Sequence, residues 1–293
     1  MRGRIMKALS GFYYVLPEGE DTVYACRAKG VFRKKNQHPL VGDLVTFDVT
    51  HEKDMEGHIT AIEERSSSLI RPPVANCDQA LVIFAVHTPD LNHNQLTRYL
   101  VMLEQKGISP IIVFSKKDLN EEGDEEELRK IYGPCGYPIC FVSSREKSGI
   151  EEVRELLKGH VTTVAGPSGA GKSALINALS GREVAATGSV SERTGRGKQT
   201  TRHTELLCIA KDTYLFDTPG FSSIENSQME KEELSGYFPE IRAFAGDCRF
   251  RGCAHDKEPG CAVKEAVISG EISEQRYQDY LLIYHELRDQ KKY

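Results

Sequence analysis

Residues 166–173 restrict the possible folds of this chain more than any other segment. They read GPSGAGKS, follow the apolar run HVTTVA and open the helical stretch KSALINALSG. A G-x-x-x-x-G-K-[ST] sequence between a strand and a helix is typical of a phosphate-binding loop, because its glycines let backbone N–H groups surround a phosphate beside a helix N-terminus. The pattern predicts a nucleotide site made by Gly166, Pro167, Ser168, Gly169, Ala170, Gly171, Lys172, Ser173 and Ala174.

A second motif, downstream of this loop, predicts a magnesium ion at the same site. The run TYLFDTPG, residues 213–220, has the pattern of a strand that ends in Asp217 and Gly220. Asp217 suits Mg²⁺, usually through a water, and the Gly220 N–H can meet a γ-phosphate. Lys172 would then reach the β and γ phosphates, while the Ser173 hydroxyl would ligate the ion.

The stretch SVSERTGRGKQTTRH separates these two motifs and shows no periodicity. A long loop of this kind in a compact domain is usually functional or disordered. Thr200 or Thr201 can supply a further hydroxyl to Mg²⁺ only when a γ-phosphate is present, and we favour Thr201. We therefore expect a switch loop whose order depends on the bound nucleotide.

The tetrapeptide SKKD, made of Ser115, Lys116, Lys117 and Asp118, follows the apolar run ISPIIVF. In a GTPase, a segment of this type reads guanine. Asp118 would accept from the N1 and N2 donors, which adenine does not offer, and the stem of Lys116 would lie along the base. Taken alone, SKKD is equally well interpreted as a surface turn.

Two serines in the later run CFVSS, Ser143 and Ser144, would close over guanine O6 through a backbone N–H. Both guanine segments precede the phosphate loop, whereas they normally follow it. A sheet does not record chain order, and circular permutation is tolerated where termini lie close together. The motif order therefore predicts a circularly permuted GTPase.

The runs around these motifs predict an α/β fold with three parts. QALVIFAV, SPIIVFS, YPICFVSS and HVTTVAG are continuous apolar runs, typical of parallel strands covered on both faces, and helical patterns alternate with them. Before them, short alternating runs such as GFYYVL and LVGDLVTFDV predict a five-stranded OB-like barrel. We expect an OB-fold RNA-binding domain at 1–70, a permuted GTPase domain at 71–224 and a zinc-binding helical domain at 225–293.

The last of these parts contains a cluster of metal-binding residue types, Cys248, Cys253, His255 and Cys261. Three thiolates and one imidazole make a closed tetrahedral shell, which is typical of structural Zn²⁺. Near the C-terminus, Tyr277, Leu281, Tyr284 and Leu287 recur at helical spacing. We expect the final helix to dock by that stripe.

The bulk composition is that of a globular protein of the cytoplasm. The chain has 293 residues, a mean hydropathy of −0.42 and a net charge of −5, so contacts with nucleic acid must come from local basic patches. No apolar run approaches the roughly 18 residues that span a membrane. The run RAKGVFRKK could provide such a basic patch, or it could be a solvated loop.

The chain resembles the RsgA (YjeQ/YloQ) family of circularly permuted GTPases over essentially its whole length. The motifs SKKD, SS, GPSGAGKS, TGRGKQTTR and DTPG, followed by the Cys/His cluster, carry the likeness. The resemblance implies slow GTP hydrolysis stimulated by the small (30S) ribosomal subunit, binding to 16S rRNA, assistance in late subunit maturation and one structural zinc. GTP or GDP and the small subunit are the expected partners of a monomer without membrane contact.

Two positions depart from that family pattern. Ser115 stands where asparagine is common, which weakens one contact that braces the phosphate loop. Gln199 stands where the switch loop often has a histidine, and Phe221 stands where many small GTPases have a water-positioning glutamine. Gln199 can orient a water but cannot take a proton. We expect Lys172, Gln199 and Thr201 to act in hydrolysis, with a P-loop ATPase or kinase, or an RNA-binding scaffold that hydrolyses little, as alternatives.

Overall fold

The computed structural model describes residues 1–30, 32, 37–70, 72–181, 204–217 and 229–290. The chain divides into two compact units. The first unit comprises Met1–Gln79, Val153–Val164 and Lys172–Phe221, and the second comprises Ala80–Glu152, Ala165–Gly171 and Ser222–Tyr293. No helix among the described residues is long and apolar enough to cross a membrane.

The first unit begins with a closed five-stranded barrel. Its strands pair in the order β1-β2-β3-β5-β4, and β4 pairs again with β1 to close the ring. The pair β3–β5 is parallel, whereas the other pairs are antiparallel. This confirms the predicted OB-like barrel. The strands are β1 (Arg2–Leu9), β2 (Phe12–Pro17), β3 (Tyr24–Ala28), β4 (Leu44–His51) and β5 (Glu56–Ile62).

Alternating apolar residues fill this barrel. Phe47 and Tyr24 have ring centroids 5.5 Å apart, and around them lies a core that is almost fully buried. Inward positions repeat every second residue because successive side chains in a strand point to opposite faces. The core residues are Ile5, Val15, Tyr24, Cys26, Phe32, Val45, Phe47 and Ile59.

The sheet of the first unit continues beyond the barrel. Strand β1 pairs antiparallel with β12 (Glu205–Ala210) at Lys7↔Glu205, and β12 pairs antiparallel with β13 (Thr213–Asp217). Strand β11 (Val161–Ala165) pairs parallel with β13. The barrel is therefore joined through β12 to the strand that ends at Asp217.

The segment between the barrel and the next strands has secondary structure of its own. It contains a two-stranded antiparallel hairpin of β6 (Ser68–Leu69) and β7 (Val74–Ala75). The Asn76 side chain accepts from the Ser66 N–H at 2.9 Å and donates to the Gly42 carbonyl at 3.2 Å. These bonds attach the segment to the barrel.

The second unit contains three hydrogen-bonded strands in the order β10-β9-β8. Its strands are continuous apolar runs, as predicted, and β10 and β9 are parallel. The strands are β8 (Gln79–Ala85), β9 (Ser109–Ser115) and β10 (Ile139–Val142). The helices between the barrel and the C-terminal region are α1 (His93–Lys106), α2 (Asp124–Tyr132), α3 (Ile150–Leu156) and α4 (Lys172–Ser180). Helix α4 belongs to the first unit, and α3 contains residues of both units.

Three C-terminal helices complete the second unit: α5 (Pro239–Ala245), α6 (Ala262–Ser269) and α7 (Glu274–Asp289). Val101 of α1 belongs to the same apolar core as these helices. The most buried face of α7 carries Arg276, Tyr277, Tyr280 and Ile283, whereas the other members of the expected stripe are only partly buried. The predicted docking helix is confirmed, but its buried face is rotated from the predicted one.

Candidate nucleotide site and zinc centre

The phosphate loop follows β11 and lies against the backbone of β8. Gly166 has φ = +137°, and a Cβ at this position would lie 2.1 Å from the carbonyl oxygen of Ile83. Both the dihedral angle and the space require glycine. The loop then turns through Gly169 and Gly171, which also have positive φ, and α4 begins at Lys172. The strand, loop and helix of the motif are therefore arranged as predicted.

The three residues after the loop form the first turn of α4. Lys172 and Ser173 are partly buried and Ala174 is exposed. Burial lowers the pKa of the Lys172 ammonium, because desolvation disfavours its charged form. An anion bound at the helix N-terminus would reverse that effect. A cation in this position therefore suits a phosphate ligand.

Ser115 connects SKKD, the predicted guanine segment, to the phosphate loop. Its hydroxyl donates to the carbonyl oxygen of Ala170 at 2.6 Å and lies 3.3 Å from the carbonyl oxygen of Phe84. Ser115 is 4% exposed and Ala170 is fully buried. The contact that we expected to be weakened by the absence of asparagine is thus made by the serine hydroxyl. SKKD and the phosphate loop meet in space although SKKD comes first in the chain.

Asp118 is held by a side chain from CFVSS, the second predicted guanine segment. The Ser143 hydroxyl donates to Asp118 Oδ1 at 2.6 Å, and Arg145 lies 3.9 Å from Oδ2. The Ser143 hydrogen bond holds the pKa of Asp118 below its ordinary value, with a smaller contribution from Arg145. The carboxylate therefore stays ionised and can accept hydrogen bonds. This role of the Ser143 side chain was not predicted, because the sequence analysis considered only its backbone N–H.

The Ser143–Ser148 turn determines which backbone groups remain for a base. The Ser143 N–H donates to the Ser148 carbonyl and the Ser148 N–H donates to the Ser143 carbonyl, each at 3.1 Å. Gly149, with φ = +73°, ends the turn, and a Cβ there would lie 2.2 Å from the Phe141 carbonyl oxygen. Because the Ser143 N–H is used within the turn, Ser144 is the better candidate for the O6 contact.

The two lysines of SKKD have different partners. Lys116 has φ = +57°, and its ammonium donates to the carbonyl oxygen of Thr88, in the loop after β8. Lys117 forms an ion pair with Glu125 on α2 at 2.9 Å. The Lys116 side chain is thus directed toward the loop after β8, whereas Lys117 binds the neighbouring helix.

The remaining predicted nucleotide residues are only partly within the described chain. Asp217 is the last residue of β13, is exposed and lies opposite Glu205 in the sheet. Gln199, Thr200, Thr201, Gly220 and Phe221 lie outside the described residues.

The Cys/His cluster is compact. The ligand atoms of Cys248, Cys253, His255 and Cys261 all lie within 4.8 Å of one another. His255 Nδ1 is 3.4 Å from Cys261 Sγ and 3.6 Å from Cys248 Sγ, so Nδ1 is the nitrogen that faces the thiols. Burial lowers the pKa of His255, which favours the neutral imidazole that a metal requires. The donor set fits one tetrahedral Zn²⁺.

Backbone contacts hold the cluster on helix α7. The Tyr277 hydroxyl donates to the His255 carbonyl at 2.6 Å, and the Tyr280 hydroxyl donates to the Ala254 carbonyl at 2.8 Å. The Glu258 carboxylate accepts from the Ala254 and Asp256 N–H groups at 2.9 and 3.1 Å. Outer contacts of this kind orient the ligands of a metal site.

Comparison with known proteins gives matches along the whole chain. A family model described as RsgA GTPase matches residues 62–227, and one described as RsgA N-terminal domain matches residues 2–59. A protein named small ribosomal subunit biogenesis GTPase RsgA from Agathobacter rectalis is 46% identical over 100% of both chains. A protein of the same name from Geobacillus kaustophilus is 48% identical over 99% of this chain and 98% of its own.

Two solved structures are similar in fold and sequence. One is described as YloQ, a circularly permuted GTPase; it matches with a TM-score of 0.83 and 40% identity over 100% of this chain and 96% of its own. The other is YjeQ from Thermotoga maritima, with a TM-score of 0.83 and 35% identity over 99% of both chains. These likenesses extend from the barrel to the Cys/His cluster.

Proposed function

The chain belongs to the RsgA GTPase family and is a circularly permuted GTPase, and we propose that it hydrolyses GTP on the small (30S) ribosomal subunit to assist late maturation of that subunit. The proposed partners are GTP or GDP, the small subunit and its 16S rRNA. The ribosomal part of the proposal rests on the relatives' name, small ribosomal subunit biogenesis GTPase RsgA. The proposed location is the cytoplasm, where bacterial subunits are assembled, and the proposed state is a monomer.

The Ser115–Ala170 hydrogen bond carries the guanine part of the proposal. At 2.6 Å, it links the guanine segment to the phosphate loop, which are about 50 residues apart in the chain. Asp118, ionised and held by Ser143, offers two acceptor oxygens beside that junction. A carboxylate left without the guanine N1 and N2 donors would be poorly satisfied, so ATP is disfavoured.

The proposed roles in hydrolysis follow from position and residue chemistry. N–H groups of the loop at 166–171 and the Lys172 ammonium stabilise negative charge on the transferring phosphoryl group. Gln199 would orient the attacking water, Ser173, Thr201 and Asp217 would hold Mg²⁺, and the Gly220 N–H would meet the γ-phosphate. Bound Mg²⁺ would neutralise part of the negative charge on the phosphate oxygens.

The base site is completed by the rest of the two guanine segments. Asp118 accepts from the base, Lys116 lies along it, and Ser144 donates to O6 from the turn that Ser143 and Ser148 close. Lys117 supports the segment through its ion pair with Glu125. Each of these roles can be tested by substitution of the residue.

A single structural Zn²⁺ is the proposed occupant of the Cys/His cluster. All four donors are used, so no coordination position is left for a substrate. The proposed domain limits remain 1–70 for an OB-fold RNA-binding domain, 71–224 for the permuted GTPase and 225–293 for the zinc-binding domain.

The test is turnover of GTP and ATP by the purified protein, with and without small ribosomal subunits. Asp118→Asn is assayed with GTP and with xanthosine triphosphate, and Asp54→Asn, on an exposed turn of the barrel, is the matched carboxylate control. We expect GTP-specific turnover that rises with subunits, a switch to xanthine nucleotide in Asp118→Asn and no switch in Asp54→Asn. Equal use of ATP and GTP would refute the guanine site.

Gln199→Ala separates hydrolysis from binding. We expect this variant to lose subunit-stimulated turnover while it still binds GTP. Unchanged turnover would remove Gln199 from the mechanism. Tight GTP binding by the wild-type protein with no stimulation would favour the alternative function, a nucleotide-gated RNA-binding scaffold, which the absence of the family histidine keeps in consideration.

A further inference from the structure

The loop after β8, residues 86–91, belongs to none of the nucleotide-binding motifs, yet it contacts one of them and lies beside another. The Thr88 carbonyl accepts from the Lys116 ammonium, in the guanine segment. The Pro89 ring lies beside the phosphate loop, 3.7 Å from the position that a Cβ on Gly169 would occupy. The position of this loop therefore affects both the base side and the phosphate side of the proposed site.

The His87 side chain attaches this loop to helix α2. His87 Nε2 lies 2.7 Å from Asp124 Oδ2, at the first residue of α2. Asp124 is itself held in place, because Oδ2 also accepts from the Glu121 N–H at 2.7 Å. The side chains of His87 and Asp124 are 36% and 19% exposed. The pair thus anchors the loop to the start of a helix that does not contribute to the nucleotide motifs.

The chemistry of lysine makes this anchor matter for the base. A lysine stem has four rotatable bonds and loses about 2 kcal/mol of conformational entropy when it is fixed. Lys116 can lie along guanine at low cost only if its ammonium already has a fixed acceptor. The Thr88 carbonyl is that acceptor, and it is adjacent in sequence to His87.

We propose that His87 is a positioning residue for guanine-nucleotide binding: its hydrogen bond to Asp124 holds the loop at 86–91 so that the Thr88 carbonyl fixes Lys116. This inference rests on the proposed guanine site. Asp124, together with the nearby charges of Glu121 and Asp90, raises the pKa of His87, because these carboxylates favour the protonated imidazole. His87 itself is not among the proposed nucleotide-binding residues.

The test measures the Kd for a fluorescent GDP analogue, and the KM and kcat for GTP, in the full-length protein. His87→Ala should raise Kd and KM about three- to tenfold, the loss of one hydrogen bond's net contribution, with a much smaller change in kcat. His87→Gln retains an N–H donor and should restore binding to within about twofold of wild type. A loss of folding alone would not give this division between KM and kcat.

His160→Ala is the matched control. His160 makes a similar pair with Asp78, at 2.8 Å. This pair lies at the start of β11, whereas the phosphate loop follows the end of that strand. We expect its Kd for GDP to equal that of wild type. Equal Kd values for His87→Ala and wild type, in a protein whose Asp118→Asn variant has lost GDP binding, would overturn the inference. Retained GDP binding by Asp118→Asn would instead mean that the proposed guanine site is wrong.

Discussion

Ser115→Ala is the substitution that most directly tests the junction of the two motifs. The serine hydroxyl donates to the buried Ala170 carbonyl at 2.6 Å, and alanine removes this donor without adding volume. Leaving a buried carbonyl without its donor costs about 1–3 kcal/mol. The cost arises wherever the phosphate loop has the conformation described above.

The magnitude of the binding change depends on which states carry that cost. If only the nucleotide-bound loop needs the bond, the Kd for GDP rises about 5- to 150-fold, since 1.4 kcal/mol corresponds to a factor of ten. If the empty protein needs it equally, the free energy of unfolding falls by the same amount and Kd changes little. We expect most of the cost in binding, because a loop that surrounds phosphate is more ordered when it is occupied.

The assay combines a fluorescent GDP titration with thermal unfolding in the absence and presence of nucleotide. Thr163→Val is the matched control, because the buried Thr163 hydroxyl, on β11 just before the loop, has no hydrogen-bond partner among the described residues. We expect Thr163→Val to leave the Kd for GDP unchanged and not to lower the Tm, because it removes a hydroxyl that makes no hydrogen bond. A Ser115→Ala protein with wild-type Kd and wild-type Tm would refute the argument that this hydroxyl braces the loop.

Three further predictions concern other contacts. Ser143→Ala removes the donor that lowers the pKa of Asp118, so the loss of GDP affinity on acidification, which follows protonation of that carboxylate, should begin at higher pH in a titration. Arg276→Ala breaks a buried pair with Glu240 at 2.7 Å and should lower the free energy of unfolding by about 3–5 kcal/mol in a denaturant titration. The double variant Arg276→Met with Glu240→Leu should lower it less, because neither charge is left unpaired. Cys261→Ser should lower bound zinc, measured by mass spectrometry, from about one per chain to a small fraction.

The sequence predicted the parts of the site that depend on local motifs. The phosphate loop, the strand before SKKD and the Cys/His cluster each consist of residues close together in the chain, with spacings set by one loop or helix start. The permutation followed from motif order alone. The OB-like barrel and the parallel strands followed from runs of apolar residues, whose periods of burial are regular.

Strand β1 was not predicted, and its geometry explains why. The register between β1 and β2 shifts between Ile5 and Lys7, so that Ile5 and Met6 are both buried in succession. An extra residue in one strand interrupts the alternation on which strand prediction depends. Strand β1 is nevertheless the strand that closes the barrel and pairs with β12.

The buried polar network of α7 could not be predicted for a different reason. Arg276 is 1% exposed, and it donates to Glu240 at 2.7 Å and to the Thr97 hydroxyl at 2.8 Å. Thr97 in turn donates to Asp279 at 2.7 Å. Charged residues are rarely this buried unless paired, and their partners here lie on α1 and α5, far away in sequence. The buried face of α7 consequently includes Arg276 and Tyr280 and differs from the predicted apolar stripe.

Strand β12 connects the barrel to the strand that ends in Asp217. Lys7 of the barrel lies opposite Glu205, with their charged groups 3.5 Å apart, and Glu205 lies opposite Asp217 on the next strand. Three charged residues therefore form one row across β1, β12 and β13. Two carboxylates facing each other repel, and Lys7 offsets part of that repulsion. If Asp217 holds Mg²⁺ as proposed, the ion adds positive charge at the end of the same row, so the barrel and the nucleotide act on one shared set of charges.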